Sequence, residues 1–317
     1  MIRLLRIVSP FVVGLLLAAP ALAADQFINV LTGGTSGVYY PLGVALANDI
    51  GKAMPAVKTS VQATKASVEN LNLLQAGRGE VAFTLGDSLS DAWKGNEDAG
   101  FKTPLKKLRG IAAIYPNYIQ IVARADAGIK TLADLKGKKI SVGAPKSGTE
   151  LNARAIFAAA GLSYKDFSKV EYLPFGESVE LMKNRQLDVT LQSAGLGVSA
   201  LRDLATSVDI TVVPISADIV KKTNDPAYLV ATIPANTYRG QMADVATAAV
   251  QNYLVTYDGV STDIVYGITK ALWTGLDQLV AAHSAAKAID PKHALDGMPV
   301  PLHPGAEKYY KEAGLIK

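Results

Sequence analysis

Short β-branched runs alternate with helix-periodic stretches along most of this chain. That rhythm restricts it to folds in which helices cover a largely parallel sheet. Residues 28–31, Ile-Asn-Val-Leu, are predicted as a strand. Helical spacing follows at Tyr39, Leu42, Leu46 and Ile50 and stops before Pro55. Residues 57–63 form the next predicted strand, 67–75 a helix and 81–85 a strand. The pattern resumes with strands at 119–122 and 139–142, a helix at 149–160, a strand at 188–191, a helix at 196–205 and a strand at 210–215. Two α/β sets predict two lobes. No Gly-, Ser- or Pro-rich linker separates them, so extended crossing segments are expected, with 111–122 and 228–234 as the candidates. One lobe is accordingly placed at 24–117 and 230–317, the other at 118–229. The last ~80 residues are predicted to be mainly helical on periodicity.

The first residues follow a different plan. Arg3 and Arg6 precede an apolar run from Phe11 to Ala19, Pro20 breaks it, and Ala21-Leu22-Ala23 is a small-x-small cleavage signal. This is the three-part layout of a secretory signal peptide at 1–23, too short and wrongly flanked for a membrane span. Cleavage after Ala23 removes two arginines and no acid, so the formal charge falls from +4 to +2. So small a charge argues against nucleic acid or an anionic membrane surface as a partner. The chain has no cysteine, which excludes disulfides, a thiol nucleophile and thiolate-ligated metal.

Three strand-to-helix turns carry residues suited to holding a ligand. Thr32-Gly33-Gly34-Thr35-Ser36-Gly37-Val38-Tyr39 follows a strand and opens a helix. Its glycines allow close backbone approach, and a helix start offers unpaired N–H groups to an anion. The spacing fits neither a phosphate loop nor a dinucleotide fingerprint, and a plain turn explains the composition equally well. Ser147-Gly148-Thr149-Glu150 has capping-box spacing, in which Ser147 caps and Glu150 reaches back. Ser67 begins a third helix. Each alone is sufficiently explained as a helix cap. Together they lie at the carboxyl ends of strands, where open α/β sheets bind ligands.

No catalytic constellation or metal set emerges. His283, His293 and His303 are spaced ten apart, which puts no two on one helical turn, and they are taken as packing or surface residues. Ser36 and Ser147 lack a nucleophile elbow. Asp87, Asp91 and Glu97 sit in a polar stretch expected to be solvated. Tyr39, Tyr40, Tyr115, Tyr118 and Phe175 are pocket candidates that, taken singly, are more often core or surface.

The motifs Thr32-Gly33-Gly34-x-x-Gly37-x-Tyr39-Tyr40-Pro41, Ser67-Val68-Glu69-Asn70-Leu71, Ala133-Asp134-Leu135-Lys136-Gly137, Ser147-Gly148-Thr149-Glu150 and Pro301-Leu302-His303-Pro304-Gly305-Ala306 occur in order. The chain resembles the TAXI family, the solute-binding subunits of tripartite ATP-independent periplasmic (TRAP) transporters. The resemblance implies a two-lobed Venus-flytrap fold of the type II-like periplasmic-binding-protein class, with a parallel-rich sheet in each lobe. It also implies a periplasmic monomer that binds a small organic anion, a glutamate-like amino acid or dicarboxylate, without a cofactor, and hands it to TRAP membrane permease subunits. Carried over residue by residue, it assigns ligand contacts to Ser36, Tyr39, Ser67, Ser147, Gly148 and Thr149. A polar triplet common after the third strand reads Leu85-Gly86-Asp87 here, which leaves Asp87 as its candidate, and Gln192, with Ser193 beside it, is a further contact from the second lobe. Lys65 and Lys146 stand where the family commonly has glycine. These departures favour an organic acid over glutamate. Two other readings stay open at this level: a ligand-sensing module for a membrane receptor or kinase, and an enzyme on the same fold.

Overall fold

The computed structural model describes residues 26–317, so the expected signal segment lies outside the described residues. The elements run β1 (Gln26–Leu31), α1 (Tyr39–Ala53), β2 (Val57–Gln62), α2 (Ser67–Gln75), β3 (Val81–Leu85), α3 (Gly86–Lys94), β4 (Leu108–Arg124) and β5 (Lys139–Ser141). They continue with α4 (Gly148–Ala159), β6 (Lys169–Glu171), α5 (Phe175–Lys183), β7 (Val189–Ala194), α6 (Ser199–Ser207), β8 (Ile210–Val213) and α7 (Ala217–Lys222). The chain ends with β9 (Tyr228–Ile233), β10 (Val245–Tyr257), α8 (Thr262–Thr274), α9 (Leu276–Ala282) and α10 (Pro304–Glu312).

The two expected parallel sets are present. β2, β1 and β3 form one, and β7, β5 and β6 the other. They are not separate sheets. A single ten-stranded mixed sheet runs β2-β1-β3-β10-β4-β7-β5-β6, joined by the two longest strands, β4 and β10, which lie antiparallel at its centre. One half of β10 pairs with β3 and the other half with β9, while β4 passes from β10 to β7 and β8.

The first crossing therefore falls within β4, as the sequence suggests. The second does not lie at 228–234. That run is β9, an edge strand whose Leu229 and Val230 are exposed, and β10 makes the crossing instead. The β10 sequence Val-Ala-Thr-Ala-Ala-Val hides its nature because alanine favours helix. The final stretch is accordingly helical only after β10. Ladder pairing slips between Gln251 and Tyr253, opposite Pro116 and Ala113. Proline lacks the ladder N–H, so a strand interior tolerates it at such irregularities.

A continuous apolar core underlies both halves. Leu42, Leu46 and Ile50 of α1 join Val265 and Ile268 of α8, and the cluster extends to Val179 and Met182 of α5 and Leu201 and Leu204 of α6. The C-terminal helices return to the first half of the sheet, where the Tyr310 hydroxyl donates to the Ile111 carbonyl at 2.8 Å. Gly305 opens α10 directly against α8. A Cβ there would meet the Thr262 carbonyl oxygen and lie 2.6 Å from the Tyr266 nitrogen, both rigid backbone. His303, buried just before it, accepts from the Gly305 N–H at 3.1 Å and contacts the Val260 carbonyl at 2.9 Å. Gly305→Ala should force α10 away from α8 and lower unfolding free energy by about 1–3 kcal/mol, the usual range for overpacking. Urea denaturation of the two proteins checks this.

Candidate ligand-binding site

Four helices begin on one cavity of about 90 Å³ between the two halves of the molecule. Its wall includes Val38 and Tyr39 at the start of α1, Ala66 and Ser67 at α2, Ser147, Gly148 and Thr149 at α4, and Pro174 and Phe175 at α5. The N-caps of α1, α2 and α5 (Val38, Ala66 and Pro174) make no side-chain cap bond, so the orphan amides of those first turns are not taken up in that way. Of these four helices only α4 is capped by a side chain: Ser147 Oγ accepts from the Glu150 N–H at 3.1 Å. The capping box is incomplete, because the Glu150 carboxylate turns to Arg154 at 2.7 Å and to the Tyr164 hydroxyl at 2.9 Å. Ser147 thus spends its oxygen on the cap and keeps its hydroxyl proton available at the wall. Lys146 adopts a φ of 61° just before it, a left-handed conformation that favours glycine.

Ser36, Tyr39, Ser67, Ser147, Gly148 and Thr149 all lie on this wall. Tyr39 stacks on Phe83 with ring centroids 5.3 Å apart and donates its hydroxyl to Asn252 Oδ1. Burial holds its phenol far above the usual range, against the opposing pull of the Ser67 hydroxyl, so it remains a neutral donor. Ser67 Oγ accepts from the Leu85 N–H at 3.2 Å.

Asp87 and Gln192 are not on the wall. The stretch around Asp87, expected to be solvated, is helix α3, and Asp87 is buried in its first turn at 4% exposure. It accepts from Asn152 Nδ2 at 2.6 Å, from the Tyr228 hydroxyl at 2.9 Å and from the Ser88 N–H at 2.6 Å. Asn152 and Tyr228 belong to α4 and β9, so Asp87 clasps one half of the molecule to the other. Gln192 is buried on β7 with neither amide atom partnered in the protein. Its neighbours Ser193 and Ala194 reach the cavity instead.

Two residues that the motifs did not single out complete the site. The Tyr115 hydroxyl and Ser193 Oγ are buried, belong to residues of the wall and have no hydrogen-bond partner among the described residues. Buried polar groups are nearly always satisfied, so two unpaired hydroxyls on residues that line one cavity point to where a ligand bonds. Tyr115 was legible only as an aromatic and Ser193 only as the neighbour of Gln192. Among the described residues, the wall carries one cation, the exposed Lys65, and no acid.

The two halves meet across the cavity. Ser199 Oγ donates to the Ser36 carbonyl at 2.8 Å, and the Glu69 N–H reaches the Lys146 carbonyl at 3.3 Å. A Cβ on Gly148 would lie 2.6 Å from Leu85 Cδ1 and 2.7 Å from Ser67 Oγ. The histidines lie elsewhere: His283 accepts from the Ala285 N–H, and exposed His293 pairs with Asp296 at 2.7 Å.

Two predictions follow from this geometry. Gly148→Ala should hold the halves apart, giving a larger radius of gyration by small-angle scattering and a melting temperature within a few degrees of wild type, at a cost of about 1–3 kcal/mol to the contact. The second concerns Asp87, whose carboxyl burial pushes up to about 6, aided by Asp225 and Asp91 and opposed by its bonds from Tyr228 and Ser88. Because the folded value lies above the unfolded one, the stabilising contribution is full below about pH 4 and is lost as pH rises through about 6. Asp87→Asn cannot titrate. Wild type should therefore gain up to about 3 kcal/mol relative to this variant between pH 7.5 and pH 4, measured by chemical denaturation.

Solved structures share this architecture. The alkanesulfonate-binding protein SsuA from Xanthomonas axonopodis pv. citri aligns at a TM-score of 0.52 and 14% identity, over 93% of this chain and 96% of its own. PhnD1 from Prochlorococcus marinus, solved with methylphosphonate, aligns at 0.57 and 12%, over 92% and 99%. The periplasmic binding protein BugD aligns at 0.58 and 12%, over 92% and 98%. At these identities the likeness is one of fold, the two-lobed fold of periplasmic binding proteins. Sequence carries the relationship further: residues 30–314 match the NMT1-like family, and the chain belongs to it.

Proposed function

We propose that this chain is a periplasmic solute-binding protein that traps a small organic anion between its lobes and delivers it to a membrane transporter. The observation that carries the reading is the convergence of four helix starts on a cavity whose wall holds no acidic side chain among the described residues. Helix starts present N–H donors and the positive end of the dipole, and in a site shielded from water these favour negative charge. Membership of the NMT1-like family and the shared fold support a transport role. The in-order motifs resembling the TAXI subunits support a TRAP-type permease as the membrane partner. Binding without turnover is the simpler role for this wall: its side-chain donors are hydroxyls, the Asn117 amide and one exposed lysine, with no carboxylate or imidazole among the described wall residues to activate them. The protein works as a monomer in the periplasm, after removal of 1–23.

Mass spectrometry of solute retained by gently purified protein identifies the cargo. Calorimetric titration of that solute then tests the site. Ser147→Ala should cost about 1 kcal/mol of stability through the lost cap and weaken binding about tenfold or more through the lost donor to a charged group. Ser36→Ala, on the opposite face of the cavity, should weaken the same solute with a smaller change in melting temperature. Two variants that bind normally, or a retained solute that is cationic or a neutral sugar, would refute the reading.

A further inference from the structure

We infer that the cargo is a short-chain monocarboxylate bearing one hydroxyl or oxo group, selected by Tyr115 and Ser193, and that dicarboxylates and amino acids are excluded. This rests on the anion-binding reading above and narrows it. Size is the first constraint. The cavity is about 90 Å³, below the ~150 Å³ of a cavity that admits a benzene ring, so it suits a ligand of about six non-hydrogen atoms or fewer. Succinate and glutamate are larger.

Charge is the second constraint. A dicarboxylate brings two charges to compensate, and beyond the helix starts the wall offers one cationic side chain, the exposed Lys65. An amino acid brings an ammonium with three donors, and the wall has no carboxylate to receive them. Two of the other acceptors there are already engaged, and what remains are neutral hydroxyls and carbonyls, not a counter-charge. Asn117 Oδ1 receives from Asn252 Nδ2 at 2.7 Å, and Thr64 Oγ1 receives from the Ala66 N–H at 2.9 Å while its proton goes to Thr32 or Asn70. A buried, unpaired ammonium is too costly to retain.

The third constraint is what remains unpaired. Tyr115 on β4 and Ser193 on β7 each present a hydroxyl that can donate or accept, and neither has a protein partner. A hydroxyl or oxo group beside the carboxylate satisfies both. Leu85, Ala144, Ala194 and Phe175 supply an apolar remainder that suits a methyl group. Lactate and pyruvate meet all three constraints; propionate lacks only the second oxygen function.

The test uses the mature chain, unfolded and refolded to strip retained solute, titrated calorimetrically with L-lactate, pyruvate, propionate, succinate and L-glutamate. Lactate or pyruvate should bind at least about tenfold more tightly than propionate, the value of a hydrogen bond at a buried site, and succinate and glutamate should give no heat. Tyr115→Phe and Ser193→Ala should each weaken lactate or pyruvate about fivefold or more while leaving propionate within about twofold. The unchanged propionate affinity shows that the variants fold. Tighter binding of succinate or glutamate than of lactate and pyruvate overturns this inference and leaves the anion reading standing. Equal weakening of propionate in both variants overturns the selective role of the two hydroxyls. If none of the acids binds and the solute retained by gently purified protein is uncharged or cationic, both readings fall.

Discussion

The side-chain amide of Asn252 is the joint on which the rest of the molecule turns. It is fully buried where the pairing of β10 with β4 slips. Its Nδ2 donates to the Tyr115 carbonyl at 2.8 Å and to Asn117 Oδ1 at 2.7 Å, and its Oδ1 accepts the Tyr39 hydroxyl. Asn117 in turn donates to the Ser193 carbonyl at 2.9 Å. One amide therefore ties α1, β4, β7 and β10 together beneath the cavity, with each polar atom accounted for. In a low-dielectric interior such a network is strong when complete and costly when broken. It fixes the positions of Tyr115 and Ser193 through their backbones, and that leaves their hydroxyls unspent. The site is thus a satisfied polar floor carrying two deliberate exceptions.

Much of this was legible in the sequence, and the failures have physical causes. Strands and helices with clear periodicity appear where expected, because β1, β3 and β7 are β-branched runs and α1 and α4 keep an apolar face. The helix starts that gather at the cavity were visible as hydroxyl- and glycine-bearing turns after strands. β10 was not, since an alanine-rich strand buried on both sides shows no polar–apolar alternation and its alanines favour helix. Asp87 was misread for a related reason: charge in a polar stretch suggests solvent, and only the fold brings Asn152 and Tyr228 to it from 65 and 141 residues away. On β7 the sequence offered Gln192 together with Ser193, and it is the end of the strand, Ser193 and Ala194, that reaches the cavity. Composition alone does not show where along a strand the cavity wall begins.

The two arrangements that hold the halves together act on opposite sides of the same question. Gly148 permits contact because it has no side chain, and the packed atoms of Leu85 and Ser67 fill the space. Asp87 promotes contact by offering a carboxylate to donors on the other half, at the expense of burying a charge. The first sets how near the halves come. The second makes their association sensitive to protonation, so closure and acidity are coupled through a residue that does not touch the cavity.

The central position of β10 has a consequence for how the protein comes to exist. β10 lies between β3 and β4, yet its residues follow theirs late in the sequence, with Asn252 opposite Leu85. Until that strand arrives, β3 has an open edge and the first half of the sheet is interrupted. Contacts of such sequence separation demand long loop closures before they repay them, which slows folding. An exposed strand edge is meanwhile a template for pairing with other chains. The same insertion that lets two halves move as one sheet in the finished protein leaves the growing chain unable to complete its centre, so the molecule becomes itself late and nearly all at once.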